Sequence, residues 1–232
     1  GIPEGRMGAL VADIVLERAR RESELPVEAC VLNNGGLRVP WTPGEITLGL
    51  VYEVMPFENE IVLLRLSGEQ MRRLADEIAA KRGEPVAGLS FTIRDRRAHD
   101  LRVGAEPVGW RDYWIATNSY LAFGGGSMKT LWEALETRGL NGVLVRSAIA
   151  DALREFGAAT DGAGGTATRG SGETATGGSG EMATEGSGKT AAARPGVEGP
   201  ASGPGIKDPA RMSRAGLGMI PIPDMGRIRF GN

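Results

Sequence analysis

Aromatic side chains are confined to one part of this chain. All but one lie between Trp41 and Phe156; none occurs from Gly157 to Arg229, and only Phe230 follows. A segment without aromatics or β-branched runs buries too little apolar surface to offset the entropy of ordering it. The foldable part is therefore expected at residues 1–157, long enough to bury a substantial core. Gly accounts for 36 of the 232 residues, about twice the usual ~7%, and the excess gathers after Thr160. There residues 166–173 and 174–181 repeat with a period of eight, and 182–189 form a looser third copy. Residues 158–205 are accordingly predicted to be a low-complexity flexible linker. Residues 206–232 carry Lys207, Arg211, Arg214, Arg227 and Arg229 and are predicted to be a basic, disordered tail.

Charge and composition exclude several classes of protein. A net charge of −2 gives no basic footprint for nucleic acid or for a membrane surface. No apolar run reaches the ~18 residues of a membrane span, and no signal peptide opens the sequence. The start at Gly1-Ile2-Pro3 without Met fits a fragment or processed piece. The single Cys30 cannot form an internal disulfide; in its apolar run it reads as a small buried hydrophobe. One Cys and one His cannot make a zinc site of the usual kind.

Within residues 1–157, apolar spacing predicts a helix over 8–21, with Leu10 and Ile14, then Val11 and Val15, paired four residues apart. A buried strand is expected at 29–32. Residues 48–55 fit either a short helix or a strand. A strand at 60–66 leads to Ser67, which with Gln70 forms a capping box for a helix to about Lys81 that buries Met71, Leu74 and Ile78. Further strands are expected at 89–93, 101–103 and 113–117. Helices are expected at 127–135 and 143–156. The charged run from Arg94 to Asp100, which holds His99, reads as a solvated hairpin connection. Trp110 and Trp114 are expected to pack in the core or at a domain interface. Helices and strands mix without strict alternation, which predicts an α+β fold.

Three loops combine glycine with polar or aromatic groups, the kind of place where binding residues sit. Asn33-Asn34-Gly35-Gly36-Leu37-Arg38 offers amides and a planar guanidinium suited to phosphate or carboxylate. Met55-Pro56-Phe57-Glu58-Asn59-Glu60 presents an aromatic ring at a strand entrance. Asn118-Ser119-Tyr120-Leu121-Ala122-Phe123 runs into Gly124-Gly125-Gly126, at an expected helix start that could hold an anion. The glycine spacing is not that of a dinucleotide-binding fold.

These loops, in this order, together with the Glu4-Gly5-Arg6-Met7-Gly8 stretch and Leu66-Ser67-Gly68, resemble the C-terminal, substrate-binding domain of the 5′-nucleotidase family. That family includes UDP-sugar and cyclic-nucleotide hydrolases. The resemblance implies a nucleoside base held between two rings, which here are Phe57 and Tyr120. It implies that Asn59 meets the base and that Asn33 and Arg38 face the ribose and phosphate. It also implies that two divalent metals and the phosphoester chemistry belong to an upstream metallophosphatase domain, so this chain is expected to hold no cofactor and to be inactive by itself. Family members often end the third loop with an aspartate that grips the ribose; Gly126 stands there instead. A further family arginine and a strand would lie upstream of Glu4. By resemblance the protein would work in the periplasm or at the cell surface. A stand-alone binding module and a scaffold that has lost ligand binding are the alternatives.

Overall fold

The computed structural model describes residues 5–41, 46–163 and 228–230. Apolar alternation along a few strands sets the architecture. In β2 (Glu60–Ser67), Ile61 and Leu63 face one core while Val62, Leu64 and Leu66 face another, as the two-residue period of a strand requires. A strand buried on both faces belongs in the middle of a layered fold. β2 lies in a five-stranded mixed sheet of order β3-β1-β7-β2-β8. Its members are β1 (Val27–Val31), β3 (Val86–Ala87), β7 (Asp112–Asn118) and β8 (Glu136–Leu144). β1 and β7 run parallel; the other pairs are antiparallel.

On one face of this sheet lie α1 (Arg6–Glu22), α2 (Leu48–Val54) and α5 (Val145–Ala163). They enclose Val11, Val15, Val51, Ile61, Leu63 and Ile149. Cys30 is fully buried among them. On the other face, α3 (Gly68–Ala80) packs over Leu64, Leu66 and Ile115 with Met71, Leu74 and Ile78. The expected capping box starts α3: Ser67 Oγ accepts from the Gln70 N–H at 3.2 Å, and Gln70 Oε1 accepts from the Ser67 N–H at 2.9 Å. A second sheet, β6-β5-β4-β9, completes this layer with β4 (Leu89–Arg94), β5 (Arg97–Val103), β6 (Glu106–Pro107) and β9 (Ile228–Phe230). All described residues belong to one compact unit, a single mixed α/β domain.

Several expectations are corrected. Residues 127–135 do not form a helix; they hold one 3-10 turn, Lys129–Leu131. The buried pair Met128 and Leu131 has helical spacing, but Thr130 is anchored instead: its N–H and hydroxyl both donate to Glu77. The chain then straightens as Leu135 N–H donates to Arg65 O and enters β8. Along β8 the Arg138 guanidinium, hydrogen-bonded to the Glu136 carboxylate and joined by Arg65, holds that carboxyl below its ordinary range. The charged run is mostly strand, its turn confined to Asp95 and Arg96, both with positive φ. There Asp76 on α3 accepts from the Ala98 N–H and pairs with Arg97. Trp110 is 88% exposed and therefore not a core residue. Residues 48–54 are helical, capped by Thr47.

α5 continues through Ala163, into the segment expected to be linker; the rest of that segment and its repeats lie outside the described residues. Of the expected disordered tail, residues 228–230 are described, and they form β9, parallel to β4.

Candidate functional site

Strand direction brings the three loops together. β1 and β7 are parallel, so both end at the same edge of the sheet; β2 is antiparallel to β7 and begins there, with Ile61 opposite Asn118. The segment after β1 carries Asn33 and Arg38. The one before β2 carries Phe57 and Asn59. The one after β7 carries Tyr120. All five predicted residues thus lie on segments at one end of the central sheet.

Hydrogen bonds lock the loops to one another. Asn118, 2% exposed, caps the short helix α4 (Ser119–Ala122) by accepting from Leu121 N–H at 2.9 Å, and its Nδ2 donates to Asn33 Oδ1 at 3.1 Å. That bond fixes the Asn33 amide through its oxygen. Ser119 Oγ accepts from the Glu60 N–H at 3.1 Å, joining the second loop to the third. Arg38 N–H donates to Val54 O at 2.9 Å, tying the first loop to the end of α2, from which the second departs. Behind the first loop, the buried Glu84 carboxylate accepts from Asn34 N–H at 2.7 Å and pairs with Lys81.

The ring side chains are presented to solvent. Phe57 is 40% exposed and Tyr120 50%, a cost in apolar surface that a folded monomer tolerates singly. The Arg38 guanidinium carbon lies 6.0 Å from the Phe57 ring centroid, at the limit of cation–π reach. Gly125 fixes Tyr120 from below. Its N–H donates to Tyr120 O at 2.7 Å, and a Cβ there would lie 2.5 Å from Cδ2 and Cε2 of the ring. Only a residue without a side chain lets the chain fold back this closely. Gly126 adopts φ 71° beside it. The glycines do not precede a helix, so the expected anion site at a helix start is not formed.

Sequence reasoning placed Asn118, Ser119 and Gly125 in the third loop without their supporting roles, and missed Glu84. A polar Asn-Ser pair at the end of an apolar strand was the available signal for the first two. Trp110 lies at the other end of β7, where it lines a cavity of about 530 Å³ with Val103, Pro107 and Tyr113. Among the described residues, no group of three or more His, Cys, Asp or Glu side chains could hold a metal ion. His99 stands exposed on β5, and the described residues do not fit a two-metal centre, which the resemblance assigns to an upstream domain. Among them, no helix is long and apolar enough to cross a membrane.

Comparison with known proteins bears on the family of the domain. The family model described as 5′-nucleotidase, C-terminal domain, matches residues 2–133. A probable 5′-nucleotidase from Treponema pallidum is 28% identical over 63% of this chain and 28% of its own length. The trifunctional nucleotide phosphoesterase protein YfkN from Bacillus subtilis is 30% identical over 56% of this chain and 10% of its own. The crystal structure of a 5′-nucleotidase precursor from Thermus thermophilus superposes with a TM-score of 0.58 at 27% identity, covering 67% of this chain and 34% of that one. This chain thus spans about a quarter or less of the length of these two curated relatives. The matched stretch takes in all three loops, and the chain belongs to the 5′-nucleotidase C-terminal domain family.

Proposed function

We propose that the loop cluster is the nucleoside-binding face of a nucleotide phosphoester hydrolase. Phe57 and Tyr120 stack on the base, Asn59 meets its edge, and Asn33 and Arg38 face the ribose and phosphate. The observation that carries this reading is the meeting of three hydrogen-bonded loops at one sheet end, each bearing a predicted residue and two of them an exposed ring. A ring accepts any flat base, whereas the planar guanidinium of Arg38 supplies a charge-assisted bond to an anion. The hydrolytic step and its two metals belong, on this proposal, to a metallophosphatase domain encoded upstream. This domain contributes binding and orientation, holding the phosphate where that domain can act. An exported setting, periplasmic or at the cell surface, goes with the family.

Two stacks of ~1–3 kcal/mol each predict adenosine binding with Kd near 1 mM or somewhat tighter. Titrating the chain with adenosine and AMP, followed by NMR at the Phe57 and Tyr120 rings, checks this. AMP should bind more tightly than adenosine because of Arg38. No ring response at millimolar ligand would remove the proposal. So would metal-dependent turnover of AMP by the pure chain, since it would place the chemistry here.

Gly125→Ala is expected to cost about tenfold in adenosine affinity, the ring being pushed off its seat by a contact too close to absorb. The same titration measures it, and Gly157→Ala serves as a control, since a Cβ there meets nothing within 4 Å.

A further inference from the structure

The second loop is held from behind by a residue that no motif singles out. Arg146, at the start of α5, is 14% exposed at its side chain, and its Nη2 lies 2.7 Å from Glu58 Oε1. Its guanidinium carbon sits 4.8 Å from the ring centroid of Tyr52 on α2, within cation–π reach. The neighbouring Val145 N–H donates to Asn59 O at 2.9 Å. Two consecutive residues at the junction of β8 and α5 therefore grip two consecutive residues of the loop, one by side chain and one by backbone.

This grip has a directional consequence. Glu58 lies against Arg146 of α5, whereas the ring of its neighbour Phe57 lies beside Arg38 of the first loop. Holding the Glu58 side chain and the Asn59 carbonyl to α5 therefore fixes where the rest of the loop stands. Glu58 itself is 78% exposed at its side chain, and an ion pair with one solvated partner adds little to stability. Stability is thus a poor reason for nearly burying a guanidinium against Tyr52 at this point; setting the aim of a loop is a better one.

We infer that Arg146 is a positioning residue for the nucleoside site, acting through Glu58 to hold Phe57 and Asn59 in the ligand-facing direction. This rests on the nucleoside-binding reading above and extends it to a residue outside the three loops. The test is a mutant cycle on adenosine affinity in the full chain. Arg146→Met, which keeps the stem and removes the charge, and Glu58→Gln are each expected to weaken binding about five- to tenfold. The double variant should be no weaker than either single one, because both break the same link. Arg146→Lys should recover most of the affinity, which a purely packing role would not predict. Arg154→Gln, which breaks the Arg154–Asp151 pair on the same helix, should leave affinity unchanged. Melting temperatures recorded alongside exclude unfolding, and the exposed Glu58 gives a variant that cannot disturb the core. Wild-type binding of adenosine together with unchanged affinity in both single variants, or with losses that simply multiply, would overturn this inference alone. Failure of the wild type to bind adenosine would overturn it together with the reading beneath it.

Discussion

Replacing both Phe57 and Tyr120 by alanine is expected to weaken adenosine binding by about 100-fold or more. Each base–ring stack is worth ~1–3 kcal/mol, and 1.4 kcal/mol is about a factor of ten. Single substitutions should cost about 5- to 100-fold each, and their product need not equal the double loss, because two rings on one base are coupled. Stability should hardly move. Both rings are about half exposed, and surface substitutions usually fall within about 0.5 kcal/mol. That separation makes the experiment informative: affinity collapses while the melting temperature stays. Tyr120→Phe should keep most of the affinity, since stacking uses the ring and not the hydroxyl. Phe123→Ala is the matched control, a ring in the same loop with 73% exposure and no part in the proposed sandwich. Binding that survives the double alanine variant would mean that the ligand, if it is a nucleoside, sits elsewhere.

The parts of this fold that could be read from sequence are those where local chemistry and burial agree. The Ser67–Gln70 capping box announced α3 because both bonds lie within four residues of chain. The apolar run of β2 announced a strand, and its burial on both faces emerged only with the fold. The three loops stood out because they set glycine or proline beside polar and aromatic groups, and the family resemblance singled out Asn33, Arg38, Phe57, Asn59 and Tyr120 within them. Their convergence followed from strand direction, which the sequence does not state; the family resemblance supplied it in advance.

What was illegible depended on partners distant in the chain. β8 has no apolar alternation, two glycines and a shift of register against β2, so its strand character comes from the neighbour it pairs with. The segment before it has helical spacing at Met128 and Leu131, yet Glu77 on α3 holds Thr130 in a single turn. β5 is charged because most of its side chains face solvent, and it is tied to α3 where Asp76 meets Arg97 and the Ala98 N–H. Asn118 looked like a loop residue; buried, it ties two loops of the candidate site together. In each case a polar group from another element decided the conformation, and periodicity carries no record of such a group.

Gly68→Ala is expected to destabilise the domain by about 3 kcal/mol or more, at the upper end of what overpacking costs. A Cβ at Gly68 would fall 1.9 Å from the carbonyl oxygen of Gly109 and 3.0 Å from its carbonyl carbon. The obstacle is main chain, which cannot rotate away as a side chain could. Nor can the 108–111 loop lift easily. Arg72 donates to both Gly68 O and Val108 O, strapping the loop over the first turn of α3. Gly109 N–H donates at 2.7 Å to the hydroxyl of Tyr113, whose side chain is buried. Relief of the clash therefore breaks either this strap or the start of α3. For a domain of this size the melting temperature should fall by roughly 6–12 °C. The identical change at Gly157 should act in the opposite direction: it lies inside α5 with nothing near its missing Cβ, where alanine favours the helix by ~1 kcal/mol. Thermal melts of the two variants check both signs, and an unchanged melting temperature for Gly68→Ala would show that the 108–111 loop is not strapped to α3 as described.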